Sequence, residues 1–185
     1  MTEVKSEQSV FKVAFNLIMA CLISGCIIGS VYYVTAPVAA EKNELMKQES
    51  MKGLVPEADH FNPIAGKENW FSAEKGGTTI AYVVPGKSKG YGGEITMLVA
   101  VTKEGKVLDY NILTSNETPG LGDKAGQEPF KSQIKGKAAA ALTVVKDPSN
   151  KENVQAMTGA TISSRAVTLA VKNAVQDVTD FTGGK

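Results

Sequence analysis

The residues of this chain best suited to chemistry lie in one hydroxyl-rich stretch, 157–164, which reads Met-Thr-Gly-Ala-Thr-Ile-Ser-Ser. Thr158 and Thr161 flank a Gly–Ala pair, and two serines follow. Directly afterwards, apolar residues recur at steps of three and four, which predicts an amphipathic helix over about 163–179. These residues are Val167, Ala170, Val171, Ala174, Val175 and Val178. The stretch is therefore predicted to be a turn that leads into a helix N-terminus.

The hydroxyl residues of this turn could help to bind an anion or could cap the helix. A helix N-terminus leaves backbone N–H groups without partners and carries the positive end of the helix dipole, so it suits an anion such as a phosphate. The simpler alternative is that Thr161, Ser163 and Ser164 only cap the helix. From the residues alone, both interpretations stay open.

The overall composition excludes several classes of protein. The 185 residues carry a net charge of +1, whereas nucleic-acid binders are usually strongly basic, so we expect no nucleic-acid partner. His60 is the only histidine, and we predict no metal site. Cys21 and Cys26 cannot ligate an iron–sulfur cluster without help from another chain. We interpret them as small apolar residues of a membrane helix.

A long uncharged run, 13–36, dominates the N-terminal part of the chain. It exceeds the roughly 20 residues needed to cross a bilayer. Tyr32 and Tyr33 lie near its far end, as interfacial aromatic residues do, and Pro37 closes it. We predict a retained transmembrane helix. The alternative is a lipoprotein cleavage box ending at Cys26, which the apolar residues after Cys26 argue against.

The remaining chain predicts an α+β domain, an antiparallel sheet packed by helices, in addition to the N-terminal transmembrane helix. The glycine-rich segment 86–93 is predicted to be a loop, and its spacing does not match the phosphate loop of nucleotide hydrolases. Alternating apolar residues and turn signals predict the other elements. These are strands at 78–84, 94–102, 107–114 and 139–145, a turn at 103–106, and a short helix at 128–134.

The segment Thr158-Gly159-Ala160-Thr161 resembles the Ser/Thr-Gly-Ala-Thr flavinylation motif of the FMN-binding domain family. That family includes the G subunit of the Rnf electron-transport complex and the C subunit of the sodium-pumping NADH:quinone reductase. The resemblance implies that Thr161 carries FMN covalently, as a phosphoryl threonine. It makes Thr158, Gly159, Ala160 and Ser163 further cofactor-binding candidates. The family usually has an acidic residue three positions before the first Ser/Thr, where this chain has Gln155.

A second stretch, Glu117-Thr118-Pro119-Gly120-Leu121-Gly122, resembles another signature of the same family. Pro-Gly predicts a turn, and the glycines allow close approach to a flat ligand. The resemblance implies that this loop lies against the flavin. It makes Glu117, Thr118, Gly120 and Leu121 further cofactor-binding candidates, and no residue is expected to be catalytic.

The resemblance also implies an organisation and a function. We expect a cytoplasmic N-terminus (1–12), a transmembrane helix (13–36), a helical linker (37–60) and an extracytoplasmic FMN-binding domain (61–185). The implied function is electron relay in an Rnf-type ferredoxin:NAD oxidoreductase coupled to sodium or proton transport. Partners would be the other membrane and peripheral subunits and a flavin transferase. The alternative is a cofactor-free, membrane-tethered binding or assembly module.

Overall fold

The structure, a computed structural model, describes residues 10–147 and 149–183. Of the predicted cytoplasmic segment 1–12, residues 1–9 lie outside this description. The chain divides between Met46 and Lys47 into two compact units. They are joined in sequence by the helix α1, Val10–Leu54, which has 45 residues.

The part of α1 within the first unit is an apolar helix. Its large side chains are exposed, among them Leu17, Ile18, Leu22, Ile23, Ile27 and Ile28. Within the described residues, α1 is the one helix whose length and composition would allow it to cross a membrane. The helix continues without a break through Pro37, the residue that closes the uncharged apolar run. Proline removes one hydrogen bond, and the adjoining turns of a long apolar helix can stay helical.

The second unit is built on a five-stranded antiparallel sheet whose strands follow one another in chain order. The strands are β1 (His60–Pro63), β2 (Phe71–Lys75), β3 (Thr78–Lys89), β4 (Glu94–Thr102) and β5 (Val107–Thr114). β4 and β5 have the predicted bounds, whereas β1 and β2 were not predicted. Together with the helices described below, this sheet confirms the predicted α+β class.

The predicted loop at 86–93 is wrong in its first half, because β3 continues to Lys89 and pairs with β4 as far as Glu94. Gly86 occupies a tightly packed position, where a Cβ would force its neighbours to move by a few tenths of an ångström. A Cβ there would lie 3.0 Å from the Met97 side chain and 3.4 Å from the carbonyl oxygen of Ala170. Glycine here permits close packing of a helix on the strand, rather than a turn.

That helix is α3, Thr161–Thr182, which lies on one face of the sheet. It begins two residues earlier than predicted. The six apolar residues that predicted it are all at most 1% exposed. The opposite face of the sheet is covered by the end of α1, through Met51 and Leu54, and by Val55.

The connection from β5 to α3 contains short elements. A 3-10 helix (Gly122–Gly126) and the helix α2 (Phe130–Ile134) come first. The predicted strand 139–145 is wrong for most of its length, since Ala139–Ala141 form a 3-10 turn. Alanines favour strands little. Only β6 (Val144–Val145) is extended there, and it pairs in parallel with β7 (Val154–Gln155).

Candidate functional site

Thr161 is the first residue of α3, and the helix end that it forms is open. Ala160 occupies the N-cap position, and no side chain caps the helix. The first N–H of α3 with a backbone acceptor is that of Ser164, which donates to the carbonyl oxygen of Ala160 at 2.9 Å. Within the described part of the chain, the N–H groups of residues 161–163 have no acceptor. The helix end therefore presents three unpaired donors, an arrangement suited to an anion.

Ser164 holds the turn in front of α3 rather than capping the helix. Its hydroxyl donates to the carbonyl oxygen of Ala160 at 2.9 Å and accepts the N–H of Met157 at 3.0 Å. The N–H of Ala160 also donates to the carbonyl oxygen of Met157. Gly159 has a positive φ of 77°, a conformation that glycine adopts without strain. The turn is thus fixed at both ends, with Thr158 exposed and Thr161 half-buried.

The hydroxyl of Ser163 is buried and donates a hydrogen bond to Oε2 of Glu117. The carboxylate of Glu117, whose side chain is 7% exposed, also accepts the N–H of Gly92 on Oε1 at 2.9 Å. Three segments meet at this carboxylate: the loop after β3, the loop after β5, and the first turn of α3. Glu117 thereby joins the two stretches that the sequence singled out.

Glycines allow this close approach. A Cβ at Gly122 would lie 2.6 Å from Oγ of Ser163 and 2.8 Å from Oε2 of Glu117. A Cβ at Gly90 would lie 2.3 Å from Oε1 of Glu117, and one at Gly92 would lie 1.9 Å from the carbonyl oxygen of Asn116. Real Cβ atoms essentially never come this close, so a side chain at any of these positions would force Glu117, Ser163 or Asn116 to shift. Gly122 belongs to the stretch that was predicted to lie against the flavin, whereas Gly90 and Gly92 were not among the predicted site residues, although the repeated glycines were the available signal.

The loop after β5 lies against the turn before α3. The carbonyl oxygen of Thr118 accepts the N–H groups of Leu121 and Gly122, both at 3.1 Å, and Gly120 has a φ of 77°. The Leu121 side chain passes within 3.3 Å of the position that a Cβ on Gly159 would occupy. The two sequence motifs are therefore in direct contact, and the predicted site residues form one group.

Exposed apolar side chains belong to the same three segments. Tyr91 is 72% exposed, Leu121 45% and Ile162 54%. Tyr91 lies between Gly90 and Gly92 in the loop after β3. Ile162 lies between Thr161 and Ser163 in the first turn of α3. Large apolar side chains left in solvent around a polar helix end fit a ligand with one anionic part and one flat apolar part.

Comparison with known proteins identifies the family. The profile of the FMN-binding domain family matches residues 90–176. The chain is 56% identical, over the full length of both proteins, to the G subunit of the proton-translocating ferredoxin:NAD(+) oxidoreductase complex of Clostridium ljungdahlii. It is 30% identical, over 90% of each chain, to the G subunit of the Na(+)-translocating ferredoxin:NAD(+) oxidoreductase complex of Acetobacterium woodii. The chain belongs to the G-subunit family of these ion-translocating complexes. The resemblance seen in the sequence is thereby confirmed.

Solved structures support the fold of this member of the G-subunit family. The C subunit of the Na(+)-translocating NADH-quinone reductase from Parabacteroides distasonis superposes with a TM-score of 0.52 at 22% identity, over 63% of each chain. The NqrC protein of Shewanella oneidensis gives a TM-score of 0.51 at 21% identity, over 71% of this chain and 74% of that one. At this level of identity, the similarity concerns the architecture.

Gln155 lies three residues before Thr158, where the resemblance to the flavinylation motif implies an acidic residue. Its side-chain amide Nε2 donates to the carbonyl oxygens of Asp147 at 2.7 Å and Asn150 at 2.6 Å. Its backbone N–H donates to Oε1 of Gln133 at 2.7 Å. A carboxylate can only accept hydrogen bonds and could not make the two side-chain contacts. In this chain the amide therefore fastens the loop that precedes β7.

Tyr110 supports the site from the core. It is fully buried, and its hydroxyl donates to the carbonyl oxygen of Ala125, in the 3-10 helix that begins at Gly122. Burial raises the pKa of Tyr110 well above its usual value. Lys131 lies 5.4 Å from the centroid of the Tyr110 ring and forms a 3.0 Å ion pair with Asp109. Tyr110 thus fixes the segment that presents Gly122 to Ser163.

No group of three or more His, Cys, Asp or Glu side chains that could hold a metal ion occurs in the described ranges. Cys21 and Cys26 are exposed on α1 as free thiols. The polar groups that the three segments bring together are hydroxyls, backbone N–H groups at the open helix end, and the carboxylate of Glu117.

Proposed function

We propose that this chain is the electron-carrying subunit of a membrane-bound, Rnf-type ferredoxin:NAD(+) oxidoreductase, and that it carries FMN covalently on Thr161. Membership of the G-subunit family and the FMN-binding domain support the general role. The observation that carries the attachment is the open N-terminus of α3, where Thr161 lies beside three backbone N–H groups without acceptors in the described part of the chain.

The residues present fit FMN. A phosphodiester on Thr161 would be stabilised by the N–H groups of residues 161–163 and by the dipole of a 22-residue helix. Leu121, Ile162 and Tyr91 offer exposed apolar surface for a flat aromatic ring. When bound, FMN supplies one-electron and two-electron redox chemistry, and the protein supplies placement and electrostatics.

The hydrogen bonds of the site favour Thr158 and Thr161 over Ser163 and Ser164 as the acceptor. The hydroxyl of Ser163 is engaged with Glu117, and that of Ser164 with Ala160. Thr158 and Thr161 make no side-chain hydrogen bond within the described residues, so either could react. Only Thr161 belongs to the helix turn whose N–H groups can hold the phosphate after transfer.

Attachment requires an activated flavin and a transferase. Thr161 Oγ1 would attack the phosphorus of a flavin dinucleotide on the flavin side of its pyrophosphate. The Oγ1–P bond forms, the pyrophosphate P–O bond breaks, and a nucleoside monophosphate leaves with the bridging oxygen. The hydroxyl proton passes to a base of the transferase. A condensation with FMN itself would have to expel water, which is a poor leaving group.

We further propose that residues 13–36 span the membrane, with 1–12 in the cytoplasm and the FMN-binding domain, 61–185, outside it beyond the linker 37–60. The apolar exposed surface of α1 supports the span. An Asn173→Cys protein tests the orientation, because Asn173 is exposed on α3. A membrane-impermeant maleimide should label it in intact cells but not the unsubstituted protein. Labelling only after lysis would reverse the orientation.

Intact mass spectrometry of the protein from its own host tests the attachment, because the transferase is then present. We expect a mass increase equal to FMN less water, a fluorescent band after denaturation, and a modified peptide that contains Thr161. An unmodified mass would favour the cofactor-free assembly module. A modified peptide in which Thr158 carries the flavin would move the attachment site.

A further inference from the structure

Glu117 is a buried charge without a positive partner. Its side chain is 7% exposed, and it takes part in none of the ion pairs among the described residues. Both of its contacts, Oγ–H of Ser163 and N–H of Gly92, donate to the carboxylate. This arrangement suits the ionised form, which accepts hydrogen bonds and cannot donate them. A buried acidic group of this kind calls for an explanation beyond packing.

The position of this charge suggests what it does. Ser163 lies two residues after Thr161 on the same helical turn, and the first turn of α3 contains no acidic residue of its own. Glu117 therefore supplies from another segment the one carboxylate seen to bond to this turn within the described residues. A charge held in the protein interior acts on its neighbours with little screening by solvent or salt.

We infer that the negative charge of Glu117 lowers the midpoint potential of the flavin on Thr161. The inference rests on the proposed attachment of FMN to Thr161. A reduced carrier holds more electrons than an oxidised one, so a fixed negative charge nearby disfavours reduction. The hydroxyl of Ser163 and the N–H of Gly92 hold the carboxylate in place, because each donates a hydrogen bond to it.

Glu117→Gln separates the charge from the geometry. The glutamine carbonyl can accept the N–H of Gly92, and its amide can donate to Oγ of Ser163, so both contacts can be kept while the charge is removed. Asp177→Asn is the matched control. It removes the same charge from an exposed position on the same helix, about 21 Å further along its axis than Ser163.

The measurement is the midpoint potential of the flavin in the purified, flavin-loaded full-length proteins, with occupancy checked by intact mass. For Glu117→Gln we expect a more positive potential. The ratio of reduced to oxidised carrier at a fixed potential should rise at least tenfold, which is about 59 mV for a one-electron step. Asp177→Asn should leave the potential unchanged. A Glu117→Gln potential within the shift of this control overturns the inference.

Ser163→Ala gives a second, independent test, which is the direction in which the midpoint potential shifts. It keeps the carboxylate but removes one donor that offsets its charge, so the potential should become more negative. A rise in the potential of Ser163→Ala overturns the inference. If Glu117→Gln does not accept flavin, the sign of Ser163→Ala decides alone. A wild-type protein without covalent flavin would instead reject the attachment itself, so the two failures are distinct.

Discussion

The hydroxyl of Ser163 donates a hydrogen bond to the carboxylate of Glu117, which lies 46 residues earlier in the chain. Both side chains are buried. This single contact ties the loop after β5 to the first turn of α3, and the N–H of Gly92 adds the loop after β3 to the same carboxylate. The proposed acceptor hydroxyl of Thr161 is therefore presented by a turn that is tied to two other segments of the chain.

Thr161→Ala should abolish covalent flavin with little loss of stability. The Thr161 side chain is half-buried and makes no capping hydrogen bond, so we expect a change within about 0.5 kcal/mol in the free energy of unfolding of the unmodified protein. In-gel fluorescence and urea unfolding measure the two effects. Thr158→Ala is the control and should keep its fluorescence. A Thr161→Ala protein that stays fluorescent after denaturation contradicts the assignment, while Thr161→Ser should retain some modification.

Gly122→Ala should destabilise the site more than Gly120→Ala. A methyl group at 122 would collide with the buried groups of Ser163 and Glu117, and overpacking of this kind costs about 1–3 kcal/mol. Gly120 has open space around it, so alanine there meets only the strain of its positive φ, about 1 kcal/mol. Urea unfolding of the two variants should give this order. Equal losses would show that the contact at Gly122 does not constrain the loop.

Gln155→Glu should weaken the loop before β7, because a carboxylate there cannot donate to the carbonyl oxygens of Asp147 and Asn150. Since the site is partly exposed, we expect a loss of about 1–2 kcal/mol. Gln133→Glu provides the matched comparison. Its oxygen accepts the N–H of Gln155, so a carboxylate keeps that contact and stability should hardly change. The opposite order would refute the donor role of Gln155.

Gln155→Asp would create the acidic residue that the family usually has, and it tests modification separately from stability. We expect flavin occupancy to be preserved or increased if the carboxylate helps a transferase, even though the side chain can no longer fasten the loop. Fluorescence per mole of folded protein is the measure, with thermal unfolding recorded on the same samples. A fall in fluorescence per mole of folded protein would contradict this expectation.

Tyr110→Phe should lower stability at neutral pH by about 1 kcal/mol, because the carbonyl oxygen of Ala125 loses its donor. Burial raises the pKa of Tyr110 in the folded state above the unfolded value of about 10. The folded protein therefore resists deprotonation, and its stability falls as the pH rises above about 10. The variant should lose stability less steeply there. Tyr91→Phe, at an exposed position, should keep the wild-type slope in alkaline urea unfolding.

The features that the sequence predicted well depend on neighbours a few positions apart. The apolar period after residue 163 predicted the buried face of α3, because residues three and four apart share one side of a helix. The hairpin of β4 and β5 followed from alternation and a tight turn. The length of the run 13–36 indicated a membrane helix, and two short motifs placed the chain in its family. All of these patterns are local, so they can be read from the sequence without knowledge of the fold.

Only the tertiary structure decided how the polar side chains are used. Ser163 and Ser164 looked like helix caps, yet one bonds to Glu117 and the other holds the turn before the helix. Gln155 looked like a lost acidic residue, yet it is a donor to two carbonyl oxygens. Gly86 looked like part of a loop, yet it lies within a strand under α3. In each case the partner is distant in sequence or belongs to an irregular loop. Burial determines which hydrogen bond each polar group must make, and burial cannot be read from the local sequence.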